Sequence, residues 1–515
     1  MVPTELHSGK PCAAPGTSPH SQWVAAALLT GFTAAAFAIH GYHLGIADDG
    51  VYLPAIKKLL NPGLYPHDAD FFMVQMRATA MPWLLASSIR LSHVPLPWAE
   101  FAWQFLAIFL LLLGCYRVAL LCFDSARDRW GAVALVTAFL TFPVAGTAIS
   151  LADQHLHPRT IATALILFAV AAALDRRKAP AAAWSAAAFA IHPMMAVFGI
   201  TLAVLIFLPW ERPREFPASA ALAANPWPFL ARPTAAWREA IATRRYYFLF
   251  RWPWYAWCGI FAPLGLLWWF ARLAKKYGLP NLGILARCLI VFSALNFAGA
   301  LIVSALPPLE IFLPLQPMRF LHLVYLLTAL FAGGLLSRFA LRDRPWRWAL
   351  LFLPVCVGMF LGQRFLFPAS RHIDWPWAAP RNKWVQAFQW VRENTPQDAY
   401  FAIDPNYMSL PGEDQYGFRA LAERSQLADY SKDASVVTEV PILAPRWQQE
   451  VHAIDGFDRF TIDDFLRLRQ RFGVDWTILE EAQANSPGLA GLDCPYRNEV
   501  VAVCRIPMSP RGRAL

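Results

Sequence analysis

Apolar runs of about twenty residues recur along the first 364 positions, and a helix of that length is what crosses the roughly 30 Å hydrocarbon core of a bilayer. They cover about 22–44, 98–122, 130–149, 159–175, 180–209, 252–271, 283–305, 319–337 and 346–364. The pattern predicts an α-helical polytopic membrane protein with about nine spans over residues 22–364, behind a short N-terminal tail of residues 1–21. His192-Pro193 interrupts the 180–209 run, so that stretch is either one kinked helix or two half-helices. Residues 79–93 are too short and too polar for a span and read as a helix lying in the membrane interface. Composition agrees. Of 515 residues, 57% are hydrophobic and 16% charged, and mean hydropathy is +0.37. Soluble proteins carry about 25% charged residues, which excludes a string of water-facing domains.

Charge sets the orientation. Residues 1–370 hold 29 Lys+Arg against 15 Asp+Glu, a net +14, while residues 371–515 hold 16 against 20, a net −4. The excess lies beside apolar runs, which marks it as a topology signal and not a nucleic-acid footprint. Arg127 and Arg129, then Arg176, Arg177 and Lys178, then Arg272, Lys275 and Lys276, then Arg338, Arg342, Arg344 and Arg347 occupy alternate connections. Those connections are expected in the cytoplasm, with the N-terminal tail. The loops 45–97 and 150–158, and everything after about 365, then face outward. The 210–251 connection carries seven Arg, from Arg212 to Arg251, yet falls on the outer side of a nine-span chain.

From Arg371 the periodicity changes. Trp384, Phe388 and Val391 share one face of a predicted helix over 382–394. A buried strand is expected over 399–403. Thr461 and Asp464 have capping-box spacing for a helix through Phe472, with strands at 474–479 and 499–506. Residues 371–515 therefore read as an external soluble α/β domain. Its two cysteines, Cys494 and Cys504, either pair in an oxidising compartment or stand as a buried and a surface thiol.

The polar loops carry the candidate chemistry. Asp48-Asp49-Gly50 follows the first span directly. Paired carboxylates there either form an ordinary solvated turn or supply a base, since a neighbouring charge raises one pKa. In Asp153-Gln154-His155-Leu156-His157-Pro158-Arg159, alternate residues share one face of an extended segment. A carboxylate with two imidazoles suits a divalent ion or a phosphate, and the other reading is a polar interfacial loop without chemistry. His192 is an ionisable group in an apolar stretch, so it either serves a site or bonds a carbonyl freed by the kink. Glu310 precedes Arg319, which opens a span. Arg319 and Arg159 either grip a phosphate or snorkel to headgroups. No phosphate-binding Gly-rich loop, nucleophile elbow or Cys-rich zinc frame is present, and no repeat divides the spans into matching halves.

Taken together, these features resemble the GT-C superfamily of membrane glycosyltransferases. Asp48-Asp49 falls at the family's first acidic motif, after helix one, and Asp153-Gln154-His155 at its second, in the next outward loop. Residues 50–60 and 79–93 match its amphipathic loop helices, and the outer domain with Trp390-Val-Arg-Glu-Asn-Thr-Pro396 matches its tail. The chain departs from the metal-dependent oligosaccharyltransferases by His155 in place of a second acidic pair and by lacking their Trp-Trp-Asp motif. The resemblance implies transfer of a sugar from a polyprenyl-phosphate donor to an acceptor on the outer face, in a bacterial inner membrane with the domain periplasmic or extracellular. It implies Asp48 or Asp49 as base, and Asp153, His155, His157 and Arg159 toward the donor phosphate, directly or through Mg or Mn. His192, Glu310 and Arg319 would be further substrate contacts. The alternative is a non-enzymatic membrane protein that binds or moves a lipid-linked glycan. Reporter fusions after Arg177, Lys276 and Arg344 are expected to read cytoplasmic, and fusions after Asp70 and Thr395 external. A cytoplasmic reading after Thr395 would separate the tail from the Asp loop and overturn this topology.

Overall fold

The computed structural model describes residues 19–208 and 233–508. Most of the expected N-terminal tail, the first part of the 210–251 connection and the last seven residues of the chain lie outside the described residues. The chain enters with α1 (Pro19–His40) and folds its first loop into α2 (Asp49–Leu60) and α3 (Met81–Ser92) before α4 (Leu96–Cys122). α5 (Ala126–Ala138) leads to a hairpin of β1 (Pro143–Val144) and β2 (Ile149–Ser150). Then come α6 (Pro158–Leu174), α7 (Lys178–Ile191), α8 (Pro193–Phe207) and α9 (Ala235–Ala242). α10 (Trp254–Tyr277), α11 (Pro280–Ala305), α12 (Leu321–Leu336) and α13 (Pro345–Leu366) complete the helical part.

Six helices among the described residues are long and apolar enough to cross a membrane: Gln22–His40, Leu96–Cys122, Trp254–Tyr277, Pro280–Ala305, Pro317–Leu341 and Pro345–Leu366. The protein is an integral membrane protein. Two of the nine expected runs fold differently, and a third is a helix shorter than the six. The helix in 130–149 stops at Ala138, and the remainder turns through Gly146, at φ +66°, into the β1–β2 hairpin. The 159–175 run is a helix of 17 residues. The 180–209 run is two helices, because Pro193 has no N–H to offer and His192 is extended at φ −153°. They form an antiparallel hairpin, with Arg176 at the start donating to the Ile206 carbonyl at the end (2.8 Å). At about 1.5 Å per residue each arm is some 21–23 Å long, less than the hydrocarbon thickness.

The basic connections gather at one end. Arg127 pairs with Asp343 (2.6 Å), Arg338 lies 4.0 Å from Asp128, and Asn281 bonds the Leu121 carbonyl (2.9 Å). At the other end α9 packs Trp237 and Ile241 against Ala434 and Trp447 of the C-terminal domain. The described part of the 210–251 connection thus lies against the C-terminal domain.

That domain contains α14 (Lys383–Asn394), β3 (Tyr400–Ile403), α15 (Phe418–Ala422), β4 (Ser425–Gln426), α16 (Lys432–Glu439), α17 (Ala444–Ala453) and α18 (Ile462–Phe472). β5 (Trp476–Glu480), β6 (Asp493–Arg497) and β7 (Val501–Arg505) complete a mixed sheet of order β4-β3-β5-β7-β6. β4, β3 and β5 run parallel, and β7 and β6 antiparallel. Side chains alternate across it. Phe401, Ile403 and Val503 face α14 and α15, while Tyr400, Ala402 and Cys504 face α18. The Thr461–Asp464 capping box is present, and Cys494 is joined to Cys504 across β6 and β7.

The domain does not stand apart from the membrane part. Leu53 and Ile56 of α2 share a core with Phe388, Phe401, Phe418 and Trp476. At its tightest point Gly50, in the first turn of α2, meets Gly417 backbone to backbone: a Cβ on Gly417 would lie 2.6 Å from the Gly50 Cα. Gly417→Ala is expected to cost about 1–3 kcal/mol by overpacking and to lower the thermal midpoint of the purified protein. Gly488→Ala, where a Cβ meets only open space and Thr461 at 3.8 Å, is the matched control. Equal midpoints for the two would disprove the close approach.

Candidate functional site

The loops that carry Asp48 and Asp153 are held from two sides. Residues 42–47 run between the second loop and the C-terminal domain. His43 N–H donates to the Gln154 carbonyl (2.9 Å), Ala47 N–H to Gln415 (2.9 Å), and Gly417 N–H back to Gly45 (2.8 Å). Tyr42 and Asp374 complete the strip, with Tyr42 N–H to His372 and Asp374 N–H to Tyr42. Gly45 stands at φ +90°, with Leu421 where a side chain would go, so no other residue fits there comfortably. The next turn closes when Asp49 Oδ2 accepts the Gly45 N–H (2.9 Å).

The second loop is fixed by α4. Gln104 donates to the Asp153 carbonyl (2.8 Å), and Glu100 accepts the Leu156 N–H (2.9 Å). The chain then makes the same move twice. His157-Pro158 opens α6 and His192-Pro193 opens α8, each Pro at the first helical position and each His Nδ1 accepting a backbone N–H, from Arg159 (3.0 Å) and Met195 (3.4 Å). This cap fixes the His157 tautomer: Nδ1 accepts, so Nε2 carries the proton and faces Asp48 Oδ2 at 3.2 Å.

Asp48, Asp49, Asp153, His155, His157, Arg159 and His192 therefore converge. The His157 ring lies 5.9 Å from His155, 6.0 Å from His192 and 5.4 Å from Tyr52. Arg159 grips both Asp153 oxygens through one nitrogen (2.7 and 2.5 Å). Arg319 joins from the start of its span, with Nη1 3.4 Å from Met194 Sδ. Glu310 does not join. It pairs with Arg238 of α9 (2.9 and 2.5 Å).

One member has no counterpart among the residues expected from sequence. Lys432, the first residue of α16, reaches across from the C-terminal domain and places Nζ 2.9 Å from Asp48 Oδ1. It is positioned by its own helix start, where Asp429 Oδ1 accepts the Ser431 and Asp433 N–H groups (2.8 and 3.1 Å). An Asp-x-x-Lys-Asp start is visible in the sequence, but nothing local ties it to a loop nearly 400 residues away.

The adjacent carboxylates differ. Loss of hydration works against the charge on Asp48, but Lys432 and His157 outweigh it and hold the group well below the usual carboxylate range. Its side chain remains 44% open. Asp49 is buried, and desolvation pushes its carboxyl well above that range, with Asp48 and Asp153 adding repulsion against its one backbone hydrogen bond. Burial also lowers His155 to about 4, so both histidines of the loop are neutral near pH 7.

Several buried polar atoms here have no partner: both His155 nitrogens, Arg159 Nε, Arg319 Nε and Thr160 Oγ1. Native interiors leave few such groups unmet, so their clustering marks a place built for a polar ligand or ordered water. Of the donors expected for Mg or Mn, Asp153 is engaged by Arg159 and His157 uses both ring nitrogens, while both His155 nitrogens stay open.

Comparison with known proteins adds two findings. Residues 382–449, which include Gly417 and Lys432, match a domain of unknown function (DUF6798). The chain is also similar to the apo crystal structure of the Archaeoglobus fulgidus oligosaccharyltransferase, at 12% identity and a TM-score of 0.37, over 90% of this chain and 70% of that one. A score that low fixes neither the fold nor the activity of this chain. No curated protein matches it.

The opposite protonation of the two carboxylates has a measurable consequence. Asp48, held below its unfolded value, contributes stability above about pH 4 that is lost as pH falls through its depressed folded value. Asp49, held above, contributes stability at low pH that is lost as pH rises through its elevated one. In thermal melts from pH 5 to 8, Asp49→Asn is expected to flatten the alkaline loss, since Asn still accepts from Gly45. Asp48→Asn should lower the midpoint throughout. Parallel profiles for both variants and parent would refute the assignment.

Proposed function

We propose that the protein is a membrane glycosyltransferase of GT-C type that moves a sugar from a polyprenyl-phosphate donor to an acceptor hydroxyl at its outward face. The observation that carries this reading is one open carboxylate, Asp48, held between His157 and Lys432 beside Arg159, Arg319 and His155, each of which keeps at least one buried nitrogen without a partner. A transfer site needs those two halves: an acceptor-side carboxylate and a cationic seat for the leaving phosphate.

In this reading the acceptor oxygen attacks the anomeric carbon while the bond from that carbon to the phosphate oxygen breaks. The phosphate leaves with the electron pair and meets Arg159 and Arg319, and the hydroxyl proton passes to Asp48. A carboxylate with a depressed pKa is a weak base, so it takes the proton late, as the new bond forms. Its benefit is orientation and a charge present at every working pH. Asp49, closed against Gly45, is a positioning residue that holds Asp48 in register. Lys432 and Arg159 supply the positive charge expected of a divalent ion. Neutral His155, with both nitrogens free, hydrogen-bonds the donor.

With a purified protein and a polyprenyl-phosphate sugar, Asp48→Asn is expected to lower transfer by about 10²–10⁴ while donor retention survives. Arg319→Gln should weaken retention instead. Removing Lys432 raises the Asp48 pKa, so Lys432→Gln should move the acidic limb of the pH–rate profile to higher pH, and Lys432→Arg should restore it. Donor retained intact by the parent, with no transfer to any acceptor tested, would leave the lipid-linked glycan binder as the function. Transfer by Asp48→Asn at the parent rate would remove Asp48 from the chemistry.

A further inference from the structure

A second cavity, of about 350 Å³, lies between α2, the linker after α13 and α14. That volume is within the usual range of small-molecule sites, roughly 300–1,000 Å³. Four cations and two acids line it: Lys57, Arg371, Arg381 and Arg392 against Asp374 and Glu423. Both acids are already engaged. Glu423 pairs with Lys57 (2.7 Å), and Asp374 accepts from the Tyr416 hydroxyl (2.6 Å) and meets His43 Nδ1 at 3.0 Å. Arg392 leans on its neighbour Glu393 (3.3 Å). Arg371 and Arg381 make no ion pair and no side-chain hydrogen bond among the described residues. The uncompensated charge of the cavity is therefore positive, and it is presented by guanidinium groups, whose planar fork matches phosphate oxygens.

The place of the cavity identifies the source of such a phosphate. Leu96 and Pro97, where the α4 span begins, form part of its wall. From there an aromatic ladder runs outward to inward: Trp98 stacks on Trp377 (5.2 Å), and Trp377 on Trp375 (4.7 Å), which lines the cavity. Trp98 and Trp377 are 42% and 62% exposed. Tryptophans in that position settle at the headgroup level of a bilayer. The cavity thus opens where lipid phosphates lie, with apolar walls from Leu53, Leu60 and Pro376.

We infer that this cavity is a binding site for the phosphate of an anionic lipid headgroup, gripped by Arg371 and Arg381. It is separate from the Asp48 site, since Leu53 stands between it and a small cavity of about 10 Å³ beside Asp49. The inference rests on the cavity alone and stands whether or not the protein transfers sugar. Because its walls come from α2, the linker and α14, an occupied site fastens the C-terminal domain to the first outward loop.

Full-length protein in a neutral detergent tests it. Dioctanoyl phosphatidic acid, dioctanoyl phosphatidylcholine and inorganic phosphate are titrated separately, with the thermal midpoint and native mass spectra as readouts. Phosphatidic acid is expected to raise the midpoint saturably and to bind at least about tenfold more tightly than phosphatidylcholine. The exposed double variant Arg371→Gln, Arg381→Gln should keep the parent midpoint without lipid and bind phosphatidic acid about tenfold or more weakly, the size expected for one or more lost charge-assisted contacts. Arg272→Gln with Lys276→Gln, at the opposite end, should leave binding unchanged. Inorganic phosphate binding as tightly as the lipid would make this a soluble-anion site and overturn the lipid assignment. Unaltered affinity in the arginine double variant would overturn the site itself.

Discussion

Six residues, 42–47, hold this molecule together. They leave the first membrane helix and are hydrogen-bonded on one side to the loop before α6 and on the other to the C-terminal domain. A segment with partners on both sides loses little by being buried, because its backbone groups stay satisfied. It also leaves no freedom to the residues after it. Gly45 turns the chain, Asp49 closes the turn, and the Gly50–Gly417 contact brings two backbones closer than any side chain would allow. Asp48 emerges from that frame at a fixed distance from His157 on one side and Lys432 on the other.

The same frame explains why two adjacent aspartates behave differently. Asp48 is turned outward to two positive or proton-donating partners, whereas Asp49 is turned inward to one backbone N–H and two like charges. Sequence adjacency gives them opposite directions because consecutive residues at a helix start project to different sides. The acids of this site are balanced by the chain itself, Asp48 by Lys432 and Asp153 by Arg159. The buried atoms left unmatched include Arg159 Nε, Arg319 Nε and both His155 nitrogens, which an incoming phosphate or hydroxyl could meet.

Membrane class and the helix and strand pattern of the tail were legible in local sequence. Apolar length, Lys/Arg clustering and a capping box are signals that span a few residues to a few turns. The 130–149 and 180–209 runs were less legible. Their apolar character satisfied a hydropathy window, but Gly146 and Pro193 break the backbone, and whether a break makes a kink, a hairpin or a strand pair depends on what packs beside it. Glu310 shows the converse. Its nearness to Arg319 in sequence suggested a shared site, yet Arg238 of α9 takes it as an ion-pair partner.

The sequence by itself determined that this chain must live in a membrane, which of its loop residues could be charged, and that His157 and His192 each stand before a proline. Those follow from composition and from neighbours within one helical turn. Only the tertiary structure decided that the two loops meet, that Lys432 completes the Asp48 site from a separate domain, and that α7 and α8 fold back on each other. It also decided that Arg371 and Arg381 line one cavity. Each of these is a contact between groups tens to hundreds of residues apart, set by which surfaces pack and which backbone groups find partners, and no local periodicity encodes that choice.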